Sequence, residues 1–227
     1  MSDIEIRSRA GAVAFRAADA DSGKVGTLAG YAAVYLRRSQ NLGGFVEQIH
    51  PDAFRQTLGD AGPVMARYNH EDAFLLGTTE AETLRVSSDG TGLLYDVDLP
   101  PTTFGRDLAV LTQRGDVRHS SFAFRTIDDE WGVTEDGFPL RTLLAVQLVD
   151  VAPVNTPAYR DTSVGMRSLA IRVGIDPGDI MQAKPEEIRS RLLKDAAERA
   201  GQDADDLGDS RSLLGLRRRA LDLDAQR

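Results

Sequence analysis

The segment Thr83 to Leu99, TLRVSSDGTGLLYDVDL, constrains the fold most. Two runs alternate apolar and polar residues, and a Ser-Asp-Gly-Thr-Gly turn separates them. Strand side chains alternate faces with a period of two, so each run directs one face into a core and one toward water. A Gly- and Asp-rich turn between two such runs is a β-hairpin signal. A lone hairpin is marginal in water and needs further strands over its apolar face. The first two-thirds of the chain supplies them. Ile4 to Ser8 and Ala12 to Ala17 alternate in the same way, and Thr27 to Leu36 reads as a longer strand containing Gly30. Phe45 to Ile49 and Val117 to Arg125 are shorter strands, Pro63 to His70 leads through a strand into a polar turn, and the mostly apolar Arg141 to Val154 is expected to cross the core.

Helices are fewer. Pro51 to Leu58 carries Pro in a first turn. Thr102 to Gly115 has a threonine at its start, Phe104, Leu108 and Leu111 on one face, and a glycine placed as C-cap. The expected class is therefore α+β, mostly β. The pattern changes after about Arg167. Lys184 to Gly201 reads as a helix with Pro and acids in its first turn, Gly201 to Ser210 as an acidic linker, and Ser212 to Leu223 as a second short helix. The expected division is a domain over residues 1–170 and a helical C-terminal extension over residues 171–227. The extension is expected to dock a partner or be removed by self-cleavage, so a chain ending near Leu169 should fold alone.

Composition removes several functions. A net charge of −8 argues against general nucleic-acid binding, which needs a basic face. The absence of cysteine excludes disulfides, thiolate metal sites and a cysteine nucleophile. The first residues carry acids and no apolar run, unlike a signal peptide. No stretch approaches the roughly 18 apolar residues of a membrane span. The expected setting is the cytoplasm or a particle assembled there.

Three histidines are the candidates for a general base near neutral pH: His50, His70 and His119. His70 lies where a strand gives way to a polar turn; from position alone a surface loop histidine is the better reading. His50 precedes Pro51 and suits a capping role. His119 shares a strand face with Ser121 and is a rival base, with cross-strand packing the plainer alternative. Ser120 and Ser121 sit in a strand directly after a capped helix, where a nucleophile could be held rigidly. An ordinary strand serine fits as well. Asp150 lies within the apolar run LAVQLVDVAPV. A carboxylate there must find a hydrogen-bond partner, either by orienting an imidazole or by facing solvent at a strand end. A metal site built from the histidines with Glu71 or Asp72 lacks any recognised ligand spacing.

Four blocks in order resemble the prohead protease family of tailed bacteriophages, which is related in fold to the herpesvirus capsid protease assemblin. GYAAVYLRRSQNLGGFVEQIHPDAF resembles the family's opening, and NHEDAFLLGTTEAETLRVSSDGTGLLYDVDLP its histidine block. GDVRHSSFAFR resembles the serine block, with His119-Ser120 in place of the usual Gly-Met and Ala123 in place of a glycine. VQLVDVAPVNTPAY resembles the closing block. The resemblance implies an assemblin-like β-barrel core with a few helices around it. It places the nucleophile on Ser121, the general base on His70 and the acidic third member on Asp150, with Arg125 a candidate for electrostatic help. It implies no metal or other cofactor. The implied substrates are the scaffolding segment of the major capsid protein and the chain itself, inside the assembling procapsid in the host cytoplasm. A homo-oligomer is implied, with no membrane and no specific nucleic acid as partner. The alternative is a catalytically silent capsid assembly or scaffolding protein that keeps the protease fold.

Overall fold

A computed structural model describes residues 3–9, 13–19, 23–59, 62–156 and 163–201. Among these, ten strands run in chain order. They are β1 (Glu5–Arg9), β2 (Ala14–Ala17), β3 (Gly26–Val34), β4 (Val46–Ile49), β5 (Met65–Arg67), β6 (Leu75–Thr78), β7 (Leu84–Ser88), β8 (Gly92–Leu99), β9 (His119–Val133) and β10 (Pro139–Val154). The helices are α1 (Arg55–Gly59), α2 (Thr103–Arg114) and α3 (Ser163–Val173), with a fourth, α4, over residues 185–201. The helix expected from Pro51 begins only at Arg55, because residues 51–54 form turns. Helix α2 has the expected caps: the Thr102 side chain accepts from the Gly105 N–H, and Gly115 adopts a left-handed φ of 83°.

The strands form two sheets. One has the order β1-β9-β10-β5-β6, with β4 also paired to β10; the other is β2-β3-β8-β7. Strands β4 and β5 lie parallel to β10, the first along Leu140–Leu143 and the second along Asp150–Val151. The mostly-β α+β class holds. Among the described residues no ladder joins the two sheets or closes either into a barrel. They share one apolar core: Phe122, Phe124, Val146 and Val151 from the first, Leu28, Leu93, Tyr95 and Val97 from the second, and Leu108 from α2. Each large side chain buried in this way stabilises the fold by about 1.5–3 kcal/mol.

A second core lies outside the sandwich. Phe45 and Trp131 meet edge to face at 5.1 Å, and Met166, Leu169, Ile180, Ile188 and Leu192 pack on them. Gly165 permits the close approach of α3, since a Cβ there would lie 2.4 Å from the Phe45 ring. The boundary expected at residues 170/171 thus falls inside α3, and residues 171–192 contribute buried side chains to the packed body. Sequence patterning missed this because Ile180, Ile188 and Leu192 complete a core whose aromatic half lies far away in the chain. Of the expected acidic linker, Gly201 to Ser210, only Gly201 is among the described residues, and the helix expected from Ser212 to Leu223 lies outside them.

One charged cluster is buried between the cores. Arg7 Nη2 lies 2.6 Å from Glu5 Oε2, and its Nε 2.8 Å from Glu47 Oε1. Arg141 reaches Glu5 at 2.8 Å, Glu47 at 3.0 Å and Asp129 at 2.6 Å. Every carboxylate has a guanidinium fork, which satisfies the condition for keeping such charges away from water. Burial by itself would raise the Glu5 carboxyl, but Arg141 and then Arg7 outweigh it and hold Glu5 below its ordinary value. A carboxylate with a depressed folded pKa adds stability above its unfolded value and loses it as pH falls through the folded one.

Three outcomes follow. Thermal stability should fall as pH drops below about 4.5, the ordinary glutamate value. Glu5→Gln should lower stability at pH 7 by about 3–5 kcal/mol and flatten that acid limb, as followed by Tm against pH. Ending the chain at Leu169 should expose Phe45 and Trp131 and lower Tm by about 10 °C or more in thermal denaturation.

Candidate active site

The ribbon of β9 and β10 carries two of the three expected site residues. Ser121 lies on β9 opposite Ala152 of β10, and Asp150 lies opposite Ala123. A register shift between Leu148 and Asp150 decides which way the carboxylate faces. Leu148 pairs with Phe124, so it shares the core face of that ring. In a regular strand Asp150, two residues on, would face the same core. The bulge instead pairs it with Ala123, on the face that carries Ser121.

His70 comes from a short 3-10 turn, Tyr68–His70, between β5 and β6. Asn69 and His70 have φ of 55° and 61°, two successive non-glycine residues in the left-handed region. Asparagine and histidine tolerate that region better than most side chains. The Asn69 Oδ1 accepts from the Asn155 N–H at 3.2 Å, which ties the turn to the end of β10. Local strain of this kind is found where a side chain must point in one direction.

The three residues form one hydrogen-bonded chain. His70 Nδ1 lies 2.5 Å from Asp150 Oδ1, and His70 Nε2 lies 2.7 Å from Ser121 Oγ. A carboxylate oxygen accepts, so Nδ1 donates to Asp150 and Nε2 is the acceptor offered to the serine hydroxyl. Arg67 donates to the other oxygen of Asp150 at 2.7 Å, so a cation holds the carboxylate from behind. Asp150 is 3% exposed and Ser121 0%. Such an arrangement can take a proton from a hydroxyl as it attacks an acyl carbon, then return it to a leaving group.

Of the rival residues, Ser120 and His50 have other partners, whereas the buried His119 Nδ1 has no hydrogen-bond partner. The Ser120 hydroxyl lies 3.1 Å from the Tyr95 hydroxyl inside the core, and burial raises the Tyr95 pKa, so that phenol stays protonated. His119 pairs with Val154, and burial, then Arg118, pushes its pKa down. The His50 Nδ1 accepts from the Asp52 N–H, as a capping residue does. Arg125 sits on β9 opposite Gln147. Among the described residues no three His, Asp or Glu side chains are grouped to hold a metal.

Sequence reasoning missed two contributors. Arg67 stood in view in ARYNH, but its partner lies 83 residues away. Strand β1 lies directly over the serine: Ser121 Oγ donates to the Arg7 carbonyl at 2.9 Å and accepts from Ser8 Oγ at 3.0 Å. The alternation of Ile4 to Ser8 announced a strand and gave no sign of its neighbour.

No curated protein matches the chain in sequence. Among solved structures, the bacteriophage T4 capsid assembly protease, gp21, is similar at 10% identity over 68% of this chain and 98% of that one, with a TM-score of 0.49. That likeness is too remote to argue from. Residues 12–172 match the caudovirus prohead serine protease family, a span that takes in β2 through β10 and most of α3. With well over half of its length inside that match, the chain belongs to the family of caudovirus prohead serine proteases.

Proposed function

We propose that this chain is the serine endopeptidase of capsid maturation, with Ser121 as nucleophile, His70 as general base and Asp150 as the group that orients His70. The observation that carries this reading is that one imidazole is hydrogen-bonded to both the buried carboxylate and the serine hydroxyl. In it, Ser121 Oγ attacks the scissile carbonyl carbon and its proton passes to His70 Nε2. Asp150 stabilises the imidazolium, which then protonates the departing amine. Water, deprotonated by His70, releases the acyl group from Ser121. Arg67 acts as a positioning residue through Asp150.

Family membership supports the setting and the substrates: the scaffolding segment of the major capsid protein and the chain itself, inside the procapsid in the host cytoplasm. Confinement there raises the effective concentration of substrate, so weak intrinsic binding suffices. A homo-oligomer and an assemblin-like barrel belong to the same reading; the core shared by the two sheets supports the barrel. The docking or self-removed role of the C-terminal extension, residues 171–227, belongs to the same reading, with residues 171–192 packed against Phe45 and Trp131. A second reading, a silent assembly protein with the protease fold, is favoured by one observation, the complete burial of Ser121.

Cleavage of the capsid protein in co-expression, read by mass, separates the two. Ser121→Ala and His70→Ala should each reduce cleavage by about 10⁴-fold or more, and Asp150→Asn by about 10⁴-fold. Ser120→Ala should keep activity within about tenfold while costing about 1–3 kcal/mol of stability, because it strips the buried Tyr95 hydroxyl of its partner. His119→Ala should keep activity, and EDTA should have no effect. Unchanged cleavage by Ser121→Ala would end the protease reading.

A further inference from the structure

A nucleophile with no exposed surface cannot meet a peptide bond until something moves. The segment over it is β1. It pairs antiparallel with β9 in the register Arg7 to Phe122 and Ser8 to Ser121, at the edge of its sheet. It precedes the span that matches the family, which begins at residue 12. Its Arg7 carbonyl accepts a hydrogen bond from Ser121 Oγ, and its Ser8 hydroxyl donates to the same oxygen.

That pattern is unproductive. A hydroxyl has one proton. When Ser121 gives it to the Arg7 carbonyl, it cannot give it to His70. The contact is also to the carbonyl oxygen, whereas attack requires Oγ to face the carbonyl carbon while donors elsewhere take the oxygen.

We propose that β1 occupies the place of the substrate. An extended peptide displaces it and adds antiparallel to β9, with a basic side chain in the position of Arg7 against Glu47 and the carbonyl of that residue at Ser121. This rests on the protease reading above. Strand addition to a sheet edge is a common mode of peptide recognition: backbone bonds give affinity and side-chain pockets give selectivity. The pocket here is explicit. Arg7 Nε donates to Glu47 Oε1 at 2.8 Å, and its guanidinium lies 5.5 Å from the centre of the Phe124 ring.

The ion cluster does not forbid the exchange. Glu5 and Arg7 are paired with each other and would leave together as a neutral pair, giving up the bonds of Glu5 to Arg141 and of Arg7 to Glu47 that an incoming chain must replace. Arg141 stays bound to Glu47 and Asp129. The remaining site keeps one cation and two carboxylates, an acidic socket for an incoming cation. A cavity of about 230 Å³ borders β1, lined by Arg7, Ser8, Val34, Arg37, Gln40 and Glu47, and gives the arriving chain a place beside the strand.

The chain has no cysteine, so a single disulfide can lock β1 without competition. Ile6 and Ala123 are cross-strand partners, and because Ala123 also lies opposite Asp150 the reduced form of the same variant is the control for the substitutions themselves. Paired strand positions are about 4.5–5.5 Å apart at Cα, within disulfide range. In the full chain carrying Ile6→Cys and Ala123→Cys, labelling of Ser121 by a fluorophosphonate should be about 100-fold slower when oxidised than when reduced. Wild type should label at the same rate in both conditions. Equal labelling of the oxidised and reduced variant overturns the proposal and leaves the protease reading standing. No labelling of any form, wild type included, ends both. The register has its own test on the wild-type chain. Three peptides are compared, with arginine, norleucine or glutamate before the scissile bond. The arginine peptide should have a kcat/KM about 100-fold above norleucine, with glutamate lower still. Equal turnover of the arginine and norleucine peptides overturns the assignment of Glu47.

Discussion

The antiparallel ladder between β9 and β10 is the constraint on which the other parts depend. It runs from Pro139 opposite Val133 to Val154 opposite His119. Three further strands take their position from it: β1 on the free side of β9, and β4 and β5 along successive stretches of β10. Each of these brings something the site uses. Strand β5 leads into the turn that holds His70, β4 carries Glu47, and β1 lies over Ser121. A long ladder can hold a serine and a carboxylate at fixed spacing, because the pairing on both sides of its bulges fixes one strand against the other.

Regular pairing alone would have put Asp150 in the apolar core beside Leu148. One extra residue in β10 turns it to the other face, where Arg67 and His70 satisfy it. The strained Asn69-His70 turn is the complementary irregularity on the opposite partner. Both departures from ideal geometry meet at the same imidazole. Local irregularity supported by a rigid sheet is a recurrent way of fixing a reactive side chain.

The electrostatics divide into two layers. Behind β1, the cluster of Glu5, Arg7, Glu47, Asp129 and Arg141 ties four strands together. In front of it, Arg67 and Asp150 orient His70. Strand β1 belongs to both layers, since its side chains enter the cluster and its backbone meets the nucleophile. The same strand therefore couples the stability of the sheet edge to access at the serine.

The sequence by itself determined the mostly-β class, the β7–β8 hairpin, the capped helix α2, and the three residues His70, Ser121 and Asp150 as a group to watch. These are legible because alternation, turn chemistry and capping are local properties, and because the four family blocks occur in order. Tertiary structure alone decided the rest. It paired Ser120 with Tyr95 and set Ser121 beside His70, and it joined α3 and α4 to the body through Phe45 and Trp131. It also brought Arg67 to Asp150 and laid Arg7 and Ser8 over Ser121, pairs 83, 114 and 113 residues apart. Periodicity reports which face of an element is apolar. It does not report which distant element will cover that face, because that choice is made by packing and charge pairing in the folded chain.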